Sequence, residues 1–188
     1  VVPVSSNVRP LSTLTATLRR RNFMLRRIVL VLLAAAATGC ATQKLANPEV
    51  GTGPTAMVSD YTVYESNGKS QVFAMTELDG QEVLNTFQAS REASYGRGFN
   101  LHLVIKDRLV PVRPMKVKIK ASHMTAAPIH EIASRASGNF FSVEGIVDFD
   151  PKPDGRYYVK GLLGSQGSSV WIEDEATGKP ATAVVSKQ

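Results

Sequence analysis

The chain has 188 residues, of which 43% are hydrophobic, and this length suits one compact domain once a targeting segment is set aside. The formal net charge is +6, but the first 39 residues contain six arginines and no acidic residue. The other 149 residues hold 16 basic and 16 acidic side chains and are formally neutral. Because phosphate binding needs an excess of positive charge, we exclude nucleic acid as a partner.

The first 39 residues have the organisation of an export signal. Residues 1–23 are polar and irregular, and we interpret them as an upstream extension outside the mature protein. Residues 24–39 begin with the basic stretch "MLRR" and continue with the apolar run "IVLVLLAAAA". This run is far shorter than the ~20 residues of a membrane-spanning helix, so the pattern predicts a signal peptide.

Small residues lead directly into Cys40, which is the only cysteine of the chain. The stretch "ATGC" resembles the lipobox of bacterial lipoproteins, with Ala37 at the position where that family prefers leucine. The resemblance implies cleavage between Gly39 and Cys40, diacylglycerol on the thiol, and a further acyl chain such as palmitate on the new amine. No other cofactor is predicted. Two or more acyl chains make membrane anchoring stable.

Residue 41 is alanine rather than aspartate. By the same resemblance, this favours the outer membrane of a Gram-negative bacterium, with the protein on the periplasmic face. Residues 40–55 contain two prolines and two glycines and are interpreted as a flexible tether. A single domain is then expected over residues 56–188.

Within this domain the hydrophobic pattern alternates with a period of two. Strands are predicted at "YTVYE", "QVFAMTEL", "GFNLHLVIKD", "MKVKIKA", "FFSVEGIVDFD", "RYYVKGLLG", "SSVWIED" and "ATAVV". The dipeptides Asn67-Gly68, Asp79-Gly80 and Asp154-Gly155 predict turns between them. Only "SDYTVY" and "PIHEIASRA" have the composition of a helical turn or short helix. The sequence therefore predicts an all-β, antiparallel β-sandwich of seven to nine short strands, similar to immunoglobulin-like or transthyretin-like modules.

Two features predict an interaction surface. Arg113, Lys116, Lys118 and Lys120 lie on or beside one face of the "MKVKIKA" strand, where they could contact lipid phosphates, lipopolysaccharide or an acidic partner. The alternative is a charged strand face that resists edge-to-edge pairing. Trp171 lies between two apolar residues of "VWIED", so the alternation places it outward. The stretch "VWIEDEATG", with "YYVKGLLG" before it, is also similar to C-terminal hairpins of small bacterial envelope lipoproteins.

Catalytic and metal-binding patterns are weak. His102, His123 and His130 lack metal-ligand spacing and are interpreted as scattered surface or loop residues, so no metal is predicted. The glycine-rich "GLLGSQGSS" precedes a strand rather than a helix, which indicates a hairpin turn and not a phosphate loop. The acidic clusters at residues 148–154 and 173–175 lack the spacing of a calcium loop and favour solvated hairpins.

These patterns predict a lipid-anchored envelope protein that acts as a non-enzymatic binding or scaffold module, an accessory of an envelope assembly. Its expected partners are the membrane, through the lipid, and an envelope protein. No oligomeric state is predicted. Two other hypotheses remain open at this point: a periplasmic sensor that binds a ligand or an ion, and an envelope enzyme with an unfamiliar site.

Overall fold

The computed structural model describes residues 50–187, which form eleven β-strands and two short α-helices. The predicted extension, signal peptide, cleavage site at Gly39, lipidation site at Cys40 and most of the tether lie outside the described residues. Neither helix of residues 50–187 has the length and hydropathy of a membrane span. The strands form two packed sheets, which confirms the predicted all-β sandwich class. Eleven strands exceed the predicted seven to nine because three of them have only two or three residues.

The first sheet, sheet A, has six strands. In spatial order they are β10 (Lys179–Pro180), β9 (Ser168–Asp174), β8 (Arg156–Leu162), β1 (Thr55–Ser59) and β5 (Asp107–Pro111), and β11 (Val185–Lys187) pairs with β9 beside β10. The pair β1–β8 is parallel, and the other pairs of this sheet are antiparallel. The predicted antiparallel arrangement therefore has one exception.

The second sheet, sheet B, has five strands and carries both helices. In spatial order its strands are β2 (Tyr61–Ser66), β3 (Lys69–Leu78), β6 (Met115–Thr125) and β7 (Ser142–Phe149), and β4 (Gln81–Glu82) pairs with the end of β3. Helix α1 (Thr86–Ser94) connects β4 to β5, and helix α2 (Pro128–Ala136) connects β6 to β7. All pairs in sheet B are antiparallel.

The main core lies between the two sheets and follows the period-two pattern. Inward residues of sheet A, such as Val159 and Ile172, pack with inward residues of sheet B, such as Phe73 and Ile119. A smaller cluster lies on the outer face of sheet B, where α1 and the segment that follows it cover the sheet. Its members are Val72, Ala74 and Met124, with Phe87, Leu101 and Leu103 packed against them.

The turn dipeptides lie where the sequence predicts them. Asn67-Gly68 connects β2 to β3, and Asp79-Gly80 connects β3 to β4. Asp79 and Gly80 both have positive φ, as a two-residue hairpin turn requires. Asp154, with φ of 57°, lies in the connection from β7 to β8. Helix α2 coincides with the predicted "PIHEIASRA" segment.

Three local predictions were wrong. The "GFNLHLVIKD" segment is a strand only from Asp107, because residues 101–106 pair with a helix instead of a strand. In "ATAVV" the strand begins at Val185, while Ile172 bonds to the Ala181–Thr182 segment before it. The segment "SDYTVY" is extended rather than helical, and α1 was not predicted.

The two ends of the sandwich differ in what they carry. Strands β1 and β2 are separated only by Asp60, so the chain enters at Thr55 and reaches the opposite end at Ser66. We call the end at Thr55 the entry end and the end at the Asn67-Gly68 turn the turn end. Helix α2 lies at the turn end, because Ala126 donates to the Gly68 carbonyl and His130 lies against Gly68.

Candidate binding groove

An open groove of about 830 Å³ crosses the outer face of sheet B between the two helices. Strand β6 forms its floor with Lys118, Lys120 and Ser122. One wall is α1 with Phe87 and Arg91. The other wall is formed by Glu131 and Arg135 of α2 and by Phe140 in the connection from α2 to β7. The groove is concave and lined by both charged and aromatic side chains, which makes it the candidate binding site.

Helix α1 begins with a complete capping box. The Asn85 side chain accepts hydrogen bonds from the Phe87 and Gln88 amides at 3.1 and 3.3 Å. Gln88 in turn accepts from the Asn85 amide at 3.4 Å. These bonds satisfy amides that the first helical turn leaves without partners, and they fix the start of the groove wall.

Three hydroxyl side chains attach α1 to the extended segment 101–106, and we call them the hydroxyl ladder. Thr86, Ser90 and Ser94 lie four residues apart and accept hydrogen bonds from the amides of Lys106, Val104 and His102 at 3.0, 2.8 and 2.9 Å. Four helical residues rise ~6 Å, and two strand residues span ~6.6 Å. Because these two distances are similar, hydroxyls spaced along α1 can accept hydrogen bonds from alternate amides of segment 101–106, as a neighbouring strand would.

A buried ion pair lies beneath the start of α1. Asp60 and Arg108 are in contact at 2.8 Å, and both side chains are 0% exposed. The Asp60 carboxylate also accepts from the Met75 and Thr86 amides at 3.1 and 2.9 Å, and Arg108 donates to the Met75 carbonyl at 3.2 Å. The pair therefore joins β5, β3 and α1 at the point where the chain crosses between sheets. Neither residue was predicted from the sequence. Arg108 lies two residues before the buried Val110, so the alternation of β5 places both on the same inward face.

The outer face of β6 carries the three predicted lysines, but a carboxylate lies beside each of them. Lys116 contacts Asp148 at 2.8 Å, Lys118 contacts Glu77 at 3.0 Å, and Lys120 contacts Glu144 at 3.0 Å. Arg113, before the strand, contacts Asp79 at 2.6 Å. We call this alternation across β3, β6 and β7 the charge ladder. It presents both signs of charge rather than a positive surface.

The charge ladder shifts the pKa of its members in the directions that ion pairing requires. The hydrogen bond from Lys120 lowers the pKa of Glu144 below its usual 4.5. The hydrogen bond to Glu77, followed by the charge of Glu144, raises the pKa of Lys118 above 10.5. The Lys116 amide and the Arg113 guanidinium lower the pKa of Asp79 below 3.8. At neutral pH these groups are ionised.

Helix α2 contributes a third charged pair to the groove. Arg135 donates to the Glu131 carboxylate through two nitrogens at 3.0 and 2.8 Å. Its guanidinium also lies 3.9 Å from the centre of the Phe140 ring, a cation–π distance. The groove therefore combines paired charges with aromatic side chains on both walls.

Trp171 is not part of this groove. It points away from the core on sheet A, between the buried residues Val170 and Ile172, as the alternation predicted. Its indole nitrogen donates to Glu173 at 3.3 Å, and the side chain is half-buried. Since the charge ladder is on sheet B, the two predicted halves of the interaction surface lie on different sheets.

The three histidines do not come together. His102 is exposed on the segment beside α1, and His130 stacks on Phe99 with ring centres 4.9 Å apart. His123 contradicts the surface interpretation, because it is buried on β6. Its Nδ1 accepts from the Phe141 amide at 3.0 Å, and its Nε2 lies 3.0 Å from Glu65. Partners on both ring nitrogens indicate a structural role at the turn end.

The acidic hairpin at residues 173–175 is also occupied by protein contacts. Glu175 contacts Arg156 at 2.8 Å and accepts from the Tyr158 hydroxyl at 3.0 Å. Asp174 accepts from the Ala176 amide at 2.9 Å. Over residues 50–187, no group of three or more His, Cys, Asp or Glu side chains is arranged to hold a metal ion.

The structure is a β-sandwich with a helix-walled groove on one sheet. Comparison with protein-family models, with curated proteins and with solved structures gives no match.

Proposed function

We propose that this chain is a lipid-anchored protein of the cell envelope that acts as a non-enzymatic binding or scaffold module. The leader and Cys40 support anchoring at the periplasmic face of the outer membrane. The groove on sheet B supports binding, because it is open, helix-walled and lined by charged and aromatic side chains.

The charge ladder favours a protein segment as the occupant of the groove. A lipid phosphate or lipopolysaccharide would need unpaired cations, whereas Lys118 and Lys120 each contact a carboxylate. A protein segment that carries both signs of charge can exchange these pairs for pairs of its own, and such matching gives register and specificity. The paired charges on the groove floor are the observation that carries this proposal. An envelope assembly that contains such a segment is the expected partner.

In-cell photocrosslinking tests the groove. A photoreactive amino acid replaces Arg91, which lines the groove on α1, and the control replaces Glu92, its exposed neighbour on the same helix. We expect one defined protein adduct from position 91 and little from position 92. Equal adducts from both positions, or none from position 91, would reject the groove as the binding site.

Metabolic labelling with a palmitate analogue tests the anchor. The full chain should incorporate the label and fractionate with the outer membrane. Cys40→Ala should lose the label and enter the soluble periplasmic fraction, with the position-91 adduct reduced at least fivefold because the local concentration of partner falls. Labelling that persists in Cys40→Ala would show that the acyl chains are elsewhere.

A further inference from the structure

Helix α2 is oriented with its apolar side outward. Its nine residues are amphipathic, yet the more buried positions are His130, Glu131 and Ser134. The opposite side carries Ile129 and Ile132, which are 64% and 66% exposed, together with Ala133 and Ala136. A surface helix ordinarily buries its apolar side, so this arrangement indicates a contact outside the domain.

Specific contacts hold α2 in this orientation. The His130 ring stacks on Phe99 and lies against Gly68, while Arg135 packs over Phe140 and bonds to Glu131. These contacts all use polar or charged side chains of the helix. The domain therefore attaches α2 through its polar side and leaves both isoleucines available.

Exposed aromatic residues accompany α2 at the turn end of the sandwich. Phe99 and Tyr64 are each 63% exposed, and Tyr95, which also lines the groove, is 91% exposed. Tyr64 also hydrogen-bonds Asn67 in the turn itself. Isoleucine and aromatic side chains together are the composition of surfaces that enter the boundary between lipid headgroups and acyl chains.

The outward side of α2 is too small by itself to form an interface with a second copy of the chain. A stable protein interface buries ~1,200 Å² or more, and two isoleucines and two alanines from each copy cover far less. A bilayer needs no complementary shape, and an anchored protein meets it at high effective concentration. The outward side of α2 is therefore sufficient for contact with a membrane and too small by itself for a dimer interface.

The tether is long enough for this contact. From Cys40 to Thr55 the chain has 15 residue steps and can reach ~50 Å. The run from Thr55 to Ser66, which joins the two ends of the sandwich, spans ~36 Å. A chain held at Cys40 can therefore bring its turn end to the bilayer, even though the tether joins the domain at the entry end.

We propose that the outward side of α2, through Ile129 and Ile132, docks into the lipid surface of the bilayer to which the protein is anchored. This inference rests on the proposed anchoring at Cys40. Docking would hold the groove, whose second wall is α2, beside the membrane surface.

Photocrosslinking to lipid tests the docking in an arrangement that does not depend on acylation. The full chain, made by cell-free translation with a photoreactive residue at position 129, is coupled through Cys40 to a maleimide lipid. The vesicles contain phosphatidylethanolamine and phosphatidylglycerol. The matched control carries the same residue at position 146, because Ile146 is also 64% exposed but lies in the middle of β7.

We expect at least fivefold more lipid adduct from position 129 than from position 146. Ile132→Glu should reduce the adduct from position 129 at least fivefold, and Ile146→Glu should leave it unchanged. Equal lipid adducts at 129 and 146, or an adduct at 129 that joins two copies of the chain, would overturn the proposal. Failure of the palmitate labelling in cells would instead reject the anchor, so the two failures are distinguishable.

Discussion

Asp60 and Arg108 show how a single pair of side chains fixes the crossing between the two sheets. Both are fully buried, and the Asp60 carboxylate receives three donors, two of them backbone amides. The Nε of Arg108 has no hydrogen-bond partner within residues 50–187. Such a pair specifies geometry more than it adds stability, because taking two charges out of water offsets much of their attraction.

We predict that Arg108→Leu destabilises the protein by about 3–5 kcal/mol, because it leaves the Asp60 charge buried without its partner. The free energy of unfolding from urea titrations of the full chain measures this change. Lys116→Ala, which breaks the exposed pair with Asp148, should leave the urea midpoint unchanged. If both variants unfold at the same urea concentration, the buried pair contributes no more to stability than the exposed one.

At the scale of elements, the hydroxyl ladder makes α1 and segment 101–106 a single unit. Segment 101–106 belongs to neither sheet, yet three of its amides have hydroxyl acceptors on one helix. Three alternate amides bonded in this way should exchange as slowly as amides within the sheets.

Ser90→Ala should selectively expose the Val104 amide, which loses its acceptor at 2.8 Å. The cost is about 1–3 kcal/mol, that of an unsatisfied buried amide. Hydrogen exchange followed by NMR should show faster exchange at Val104 than in the wild type, with β3 amides unchanged. Uniformly faster exchange throughout both sheets would mean that the bond is not local.

The charge ladder gives the element formed by β3, β6 and β7 a pH dependence. Folding lowers the pKa of Glu144 and Asp79 below 4.5 and 3.8, so their stabilisation is complete above these values and is lost as the pH falls through the folded values. Folding raises the pKa of Lys118 above 10.5, so its stabilisation persists until the pH exceeds that value. Stability should therefore be level between these limits.

We predict that the urea midpoint decreases as the pH falls below 4.5 and that Glu144→Gln makes this decrease shallower. The control is Glu82→Gln, which alters an exposed carboxylate on β4. Urea titrations across the acid range measure both. If the urea midpoint decreases equally below pH 4.5 in the wild type and in Glu144→Gln, the charge ladder is not the cause of the decrease.

At the scale of the whole molecule, the two sheets approach closely at Gly161. A Cβ at this position would lie 2.3 Å from the Ser169 carbonyl oxygen and 2.8 Å from the Phe73 ring. Gly161 is on β8 of sheet A, and Phe73 is on β3 of sheet B. The aromatic ring fills the space that a side chain would occupy, so glycine sets the spacing of the sandwich here.

Gly161→Ala should therefore destabilise the protein by about 1–3 kcal/mol through overpacking, with Phe73 forced to move. Gly53→Ala is the control, because a Cβ there meets nothing within 4 Å. Thermal unfolding of both variants measures the difference. Equal melting temperatures would indicate that the sheets separate without cost at this point.

Much of the sandwich can be predicted from the sequence, because alternation and turn dipeptides are local signals. The strand "MKVKIKA" alternates with buried Met115, Val117 and Ile119, and the Asp79-Gly80 turn is where its sequence requires it. Segment 101–106 shows the limit of this reasoning. Its alternation is that of a strand, and only the helix beside it shows that its partner is not a strand.

The candidate groove is less predictable, since one of its walls is the helix that the pattern missed. Helix α1 buries Thr86, Ala89 and Ser90 rather than large apolar residues, so its hydrophobic periodicity is weak. The capping box formed by Asn85 and Gln88 was the available signal. The ion pairs of Lys118 and Lys120 could not be predicted from the sequence either, because Glu77 and Glu144 lie on two strands that are distant from β6 along the chain.

The hydroxyl ladder also protects segment 101–106 from pairing with a strand of another chain. A free row of strand amides is a template on which another chain can polymerise, and amyloid fibrils grow in this way. In this protein the amides of His102, Val104 and Lys106 are bonded to a helix, and a helix offers an incoming strand no matching row of groups. Serine or threonine at every fourth helical position thus gives a compact rule for protecting an extended segment against aggregation in designed proteins.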